Sequence, residues 1–219
     1  MPTSTKERIL DVAERLFAEQ GFPSTSLRDI TTEAAVNLAS VNYHFGSKEA
    51  LLAALLDRRF RPMNDLRLER LGRLESTVGA TGNPIPVTEV IRAFLAPPFE
   101  QQRLGVWSPT FLRLVGRIHA ETNEQHRATF EGLFKTVRDR FTTALQNSLP
   151  HLHEHVVRQR MLFLMGSMAF AMARNVMPSD KNTADQNDIL EPLINFATGG
   201  MSASEKPVTG GKKRKKGTP

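Results

Sequence analysis

Cysteine is absent from this 219-residue chain, and tryptophan and tyrosine occur once each. Without thiols there can be no disulfide, no thiolate metal site and no cysteine nucleophile, while a reducing compartment is allowed. Long apolar runs are missing too. The longest, Met161 to Ala173, holds 13 residues and is interrupted by Gly166 and Ser167, short of the roughly 20 that cross a bilayer. It reads as a buried helix, and no membrane partner is expected. The opening Met-Pro-Thr-Ser-Thr-Lys-Glu-Arg carries no apolar signal region, so a cytoplasmic location is expected.

Catalytic signatures are lacking as well. No Ser/His/Asp set stands in a strand-turn-helix setting, and no paired carboxylates lie on an apolar helix face. Gly79 and Gly82 precede no Gly-Lys-Ser/Thr, so they form no phosphate loop. His151 and His155 are spaced for a metal on a helix, but they follow Pro150 and have no third ligand near them in sequence. The chain is read as a non-enzyme with no cofactor and no metal. Charge adds little: of the net +6, Lys212-Lys-Arg-Lys-Lys216 supplies five, whereas residues 1–61 hold eight Lys/Arg and eight Asp/Glu, net zero. Residues 201–219 read as a disordered basic tail, at most a salt-sensitive aid to holding nonspecific DNA.

Against these absences stands one dense segment, Asn37-Leu-Ala-Ser-Val-Asn-Tyr-His-Phe-Gly-Ser-Lys48. Asn37 is a good N-cap, so a short helix starts there with its positive end forward. Leu38, Val41 and Phe45 share one face that must meet a core, leaving Ala39, Ser40, Asn42, Tyr43 and His44 to point elsewhere. A second helical segment, Ser26 to Ala35, precedes it after a break too short to separate the two. That spacing predicts a helix-turn-helix. Small residues allow close approach to a groove, Ser40 and Asn42 suit base edges or phosphates, and Tyr43, His44 and Lys48 form a donor cluster for the backbone.

Elsewhere the pattern is helical throughout. Ser4 and Glu7 suggest a capping box for a first helix with Ile9, Leu10, Ala13, Leu16 and Phe17 inward, and Gly21 suggests a left-handed cap at its end. A fourth helix is predicted from Ser47 to about Glu75, kinked at Pro62, then a loop from Thr77 to Val87. Further helices are predicted over 88–96, 108–120, 124–148 and 153–176, with a last one containing Ile189 to Phe196. The helix over 153–176 is apolar on nearly every face, which suits a core on one side and a partner on the other. With residues 185–198 it is the candidate homodimer interface, a two-fold four-helix arrangement.

The stretches Lys6 to Phe22, Thr25 to Ile30 and Val41 to Leu51 resemble the TetR family of bacterial transcriptional regulators. The resemblance implies an all-α fold of about nine helices: a helix-turn-helix head, placed at residues 3–63, and a larger effector-binding and dimerisation bundle, placed at 64–200. It implies a nucleoid-associated repressor bound as a dimer to an inverted-repeat operator in double-stranded DNA and released by a small apolar effector. The residues assigned to DNA are Thr25, Ser26, Arg28, Ala39, Ser40, Asn42, Tyr43, His44 and Lys48. Those assigned to ligand are Phe94, Trp107, Phe111, Arg113, Phe130, Phe134, Met165 and Met168, aromatic and thioether linings suiting apolar ligands of variable shape. Phe111-Leu-Arg-Leu-Val-Gly116 and Phe163 to Met172 further resemble a subgroup sensing long-chain fatty acids or acyl-CoA, with Arg113 placed to pair with the carboxylate. The competing reading is a helical ligand carrier or protein-interaction module in which the polar edge of residues 40–48 is incidental.

Overall fold

Ser4 begins the first helix by accepting a hydrogen bond from the Glu7 amide at 3.2 Å. The reciprocal half of the capping box is missing, because the Glu7 carboxylate is drawn instead to Arg58, 2.7 Å away. The computed structural model describes residues 4–120, 124–176 and 189–205, and all their side chains except those of 79–81, 116, 117, 119, 120, 124–127, 129, 130 and 173–176. Among the described residues the fold is all-α, with nine helices: α1 (Thr5–Gln20), α2 (Leu27–Glu33), α3 (Leu38–Phe45), α4 (Lys48–Thr81), α5 (Val87–Arg103), α6 (Pro109–Ala120), α7 (Glu124–Ser148), α8 (Glu154–Val176) and α9 (Leu190–Ser202). The part of the tail from residue 206 on lies outside the described residues. No described helix is long and apolar enough to cross a membrane.

Three helices make the head. Ile9, Leu10, Ala13, Leu16 and Phe17 of α1, Ile30 of α2 and Val41 of α3 close on Leu51, Leu52, Leu55 and Leu56 of α4, all buried. Burial of such side chains contributes about 1.5–3 kcal/mol each before chain entropy is set against it. Gly21 ends α1 at φ 87° and ψ 155°, a backbone shape outside the expected left-handed helical cap but still reserved for glycine.

Helix α4 departs most from expectation. It runs unbroken for 34 residues through Pro62 and ends only where Gly82 takes the left-handed conformation, φ 70°. The predicted loop over 77–87 is therefore confined to the residues after Thr81. In the same way α5 does not stop at Ala96 but continues through Pro97 and Pro98 to Arg103. The two prolines leave the carbonyls of Ala93 and Phe94 without their usual helical donors. For Phe94 the substitute is long-range: Nε of Arg67 donates to its carbonyl at 2.8 Å.

In the body, α4 packs on α5 and α7, α5 on α9, and α8 on α7 and α9, while α1 of the head lies on α6. Arg70 pairs with Glu100 and Arg92 with Glu191, joining α4 to α5 and α5 to α9. Head and body share helix α4, so the boundary expected near residue 63 coincides with no break in the chain.

Candidate nucleic-acid interface and effector core

The helix-turn-helix is fixed by local hydrogen bonds. Ser26 and Asp29 form a full capping box at the start of α2: the Asp29 amide donates to Ser26 Oγ at 3.1 Å, and the Ser26 amide donates back to Asp29 Oδ2 at 2.8 Å. Hydrogen bonds from the Ser26 hydroxyl and amide, with the Lys48 ammonium adding a smaller pull, hold the Asp29 carboxyl below its ordinary value. Asn37 caps α3, its Oδ1 accepting from the Ser40 amide and from the Ser40 hydroxyl, both at 2.8 Å. Ala35 spends a φ of 50° in the turn between the two helices. Arg15 of α1 pairs with Glu33, holding α2 against α1.

This framing sorts the predicted DNA residues. Ala39, Asn42, Tyr43 and His44 are exposed on one edge of α3, Tyr43 to 86%. The Tyr43 and His44 rings meet edge to face with centroids 5.2 Å apart. The Arg28 side chain is exposed and makes no hydrogen bond among the described residues, its carbonyl alone accepting from the Thr31 hydroxyl at 3.0 Å. Lys48 is placed differently from the expected donor cluster, its ammonium 4.3 Å above the Phe22 ring. The hydroxyls of Ser26 and Ser40 are committed to the caps as donors, leaving only lone pairs to offer.

Two expectations need correction. Thr25 is buried, and its hydroxyl sits between the carbonyls of Gly21, 2.9 Å away, and Leu16, 3.3 Å away; its side chain braces the end of α1 and is turned from any duplex. Leu38, expected inward, is 42% exposed, whereas Val41 is buried and Phe45 packs partly buried against the core.

Above the head lies a buried charged node. Glu14 of α1 accepts from Arg59 at Nε and Nη2, 2.8 and 2.9 Å, and from Arg58 Nη2 at 3.3 Å. Ser108 Oγ donates to Glu14 Oε1 at 3.2 Å while accepting from the Phe111 amide at 3.0 Å, so the N-terminus of α6 is tied to the head through one carboxylate. Glu14, Arg58, Arg59 and Ser108 were not singled out from sequence. The available signal was three charges on facing helices, Glu14 opposite Arg58 and Arg59, with no other reason to be inward.

The predicted effector residues divide. Trp107, Phe111 and Phe134 converge on Phe60, which was not predicted, with centroids 5.7, 5.3 and 5.0 Å from its ring. Trp107 Nε1 is buried there without a hydrogen-bond partner among the described residues. Phe94 belongs to a neighbouring group, edge to face with Phe141 and 4.1 Å beneath the guanidinium carbon of Arg67. Met165 and Met168 are partly buried against the core. The side chain of Phe130 lies outside the described residues. Arg113 is exposed and its only side-chain hydrogen bond among the described residues is to Thr110 Oγ1, 3.3 Å away; an α6 residue two positions from buried Phe111 points outward, so the carboxylate-pairing role assigned to it is not supported. A cleft of about 610 Å³ lies between α7 and α8, lined by Arg138, Asp139, Gln146, Glu154 and Arg158 among others, and none of the predicted ligand residues borders it.

Residues 9–55 match the sequence model of the bacterial regulatory proteins of the tetR family, and residues 92–200 match that of the tetracyclin repressor-like C-terminal domain. An HTH-type transcriptional repressor of Mycobacterium tuberculosis is 47% identical over 60 residues, 26% of this chain and 32% of that protein. The regulator AcrR of Shigella flexneri is 38% identical over 65 residues, 30% of each chain. The chain thus spans about a third of the length of these curated relatives. Among solved structures, the fatty acid degradation regulator FadR of Bacillus halodurans superposes with a TM-score of 0.65 at 16% identity, covering 91% of this chain and 97% of that one. Salmonella enterica GusR gives 0.56 at 20% identity over 91% and 96%. With a head and a body each matched to its own domain of one family, and the whole described fold shared with solved members, the chain belongs to the TetR family of bacterial transcriptional regulators.

Proposed function

We propose that this chain is a DNA-binding transcriptional repressor, a homodimer that occupies an inverted-repeat operator and is released by a small apolar effector. The observation that carries the reading is the exposed edge of α3, Ala39, Asn42, Tyr43 and His44, on a helix held by an Asn37 cap within a three-helix head whose apolar core is buried. Nothing in the fold requires a tyrosine so exposed. A major groove does, because polar side chains at the front of a recognition helix read base edges and phosphates.

Dimerisation is supported by an apolar face the chain leaves uncovered. Phe163 and Phe170 of α8, one heptad apart, are 63% and 66% exposed, and Phe196 of α9 is 70% exposed. A methyl group added at Gly166, Gly199 or Gly200 would meet nothing within 4 Å, so these small residues serve no packing within the chain and suit close approach of a second copy. A two-fold pair sets two heads roughly 34–36 Å apart, one DNA turn.

The effector reading is supported by the Phe60, Trp107, Phe111 and Phe134 cluster, which stands directly beside Ser108 and so beside Glu14. A ligand inserted there moves the start of α6, and the Ser108–Glu14 bond passes that movement to α1. Release requires only that the ligand favour one head spacing over the other. A long-chain acyl compound fits the apolar lining, and the fatty acid degradation regulator among the structural neighbours agrees with it. The division into a head ending near residue 63, a body to 200 and a basic tail is retained as part of this proposal, as is the cytoplasmic, nucleoid-associated location.

The test is mobility shift of the DNA upstream of the coding region, at physiological salt, against shuffled duplex. A repressor saturates on one inverted repeat and lets go on adding its effector. A helical carrier or protein-interaction module shows no preference at any salt, and that result overturns the proposal.

A further inference from the structure

Helix α4 presents Leu52, Leu56, Phe60, Met63, Arg67 and Leu71 along one buried stripe. Five are apolar; the sixth is the one fully buried cation among the described residues. Arg67 has five N–H donors and three hydrogen bonds: Nε to the Phe94 carbonyl at 2.8 Å, Nη1 to Asn64 Oδ1 at 3.2 Å and Nη2 to Met168 Sδ at 3.1 Å. No carboxylate pairs with it among the described residues. Burial lowers the guanidinium to about 9, so at neutral pH it remains a charged group with no counter-ion, which is costly.

The proline-orphaned carbonyl of Phe94 accounts for Nε alone. One neutral donor satisfies a carbonyl, and the Phe94 ring 4.1 Å beneath the guanidinium carbon favours its charge without supplying a counter-ion; neither gives a reason for an Nη2 directed at a thioether, a weak acceptor on an adaptable side chain. What the remaining donors match is a planar monoanion. The aromatic cluster begins at Phe60, seven residues and roughly 10 Å along the same stripe, and Asn64 between them anchors α4 to α7 by donating to the Leu133 carbonyl at 3.1 Å. Head-group partner and apolar lining are thus aligned on one helix face.

We infer that Arg67 receives the anionic head of the effector, Met168 moving aside, and that the effector is a free monocarboxylate whose apolar body runs toward Phe60 and Trp107. This rests on the effector reading above. A single buried cation does not match a phosphate dianion, so the acid is selected over its nucleotide thioester.

The experiment uses the full-length dimer, decanoate and decanol below their micellar concentrations, and two readouts: emission of Trp107, the chain's one tryptophan, and release of labelled operator. Decanoate is expected to bind at least tenfold tighter than decanol. Arg67→Gln, which keeps an N–H for Phe94 but no charge, is expected to abolish that preference without lowering the melting temperature, and Arg67→Lys to retain it. Equal binding of acid and alcohol by the wild type, or an undiminished preference in Arg67→Gln, overturns the role of Arg67. If Arg67→Gln does not fold, the wild-type comparison and Arg67→Lys decide. Neither compound moving Trp107 emission nor releasing DNA, with operator binding intact, overturns the apolar-effector reading and this one with it.

Discussion

Glu14 is the strongest place to test how the head is joined to the body. Its two oxygens accept four hydrogen bonds, from Arg58, twice from Arg59 and from Ser108. Glu14→Gln preserves volume but turns an NH2 toward one pair of these donors, whichever way the amide lies. Arg58 keeps Glu7 and Asp11; Arg59 keeps no carboxylate among the described residues and is only about a quarter exposed. A hydrogen bond to a charged group contributes about 1.5–3 kcal/mol net, and partial access to water recovers some of it, so the loss is about 2–4 kcal/mol. Glu14→Ala, which strands the Arg59 guanidinium and leaves Ser108 without its acceptor, should cost about 3–5 kcal/mol. For a chain of this size 3 kcal/mol corresponds to a fall of roughly 6–12 °C in Tm. The assay is calorimetric melting at one fixed protein concentration, since a dimer's Tm depends on it. Ser108→Ala should be milder, about 1 kcal/mol, and nonadditive with Glu14→Gln because both break the same bond. A Glu14→Gln protein melting within about 2 °C of wild type would refute the claim that this carboxylate holds the two parts together.

Tyr43→Ala should weaken operator binding about tenfold with no change in Tm, as so exposed a side chain makes little contribution to folding, and Arg28→Ala should reduce the slope of log K against log salt by about 0.9; titration at several salt concentrations reads both. Phe163→Glu or Phe170→Glu should yield monomers by sedimentation and lose operator affinity at least 100-fold, and an intact dimer would place the interface elsewhere. Asp29, whose carboxyl is held below its ordinary value, adds stability that is fully present above the unfolded value and disappears as pH falls through the lower folded one. Asp29→Ala should therefore flatten the acid side of the stability profile below about pH 4 and leave its neutral region nearly parallel to wild type.

The head was legible because its information is local. Ser4 and Asn37 are caps recognisable by spacing, and each caps the helix expected of it. The body was legible in the number and placement of its helices, since apolar periodicity survives without knowledge of partners. What sequence could not show was long-range compensation. Pro97 and Pro98 read as a stop because nothing nearby reveals that an arginine 27 positions earlier reaches the Phe94 carbonyl. Thr25 looked like a contact for DNA because its burial depends on how the end of α1 folds back over it. The carboxylate-pairing role expected of Arg113 passes to Arg67 in the inference above for a related reason: flanking aromatics drew notice to Arg113, while the telling feature of Arg67, which was not singled out, is its place in an apolar stripe.

The head is attached twice, once covalently where α4 passes without a joint into the body, and once through α1 resting on α6 with Ser108 bonded to Glu14. A single attachment would leave it free to wobble in every direction; two points of mounting leave essentially one, a rocking about the axis that α4 defines. On the proposed function, order in the α3 edge and responsiveness to an effector would thus have the same mechanical origin. Any change that loosens the second mounting should cost the protein both at once.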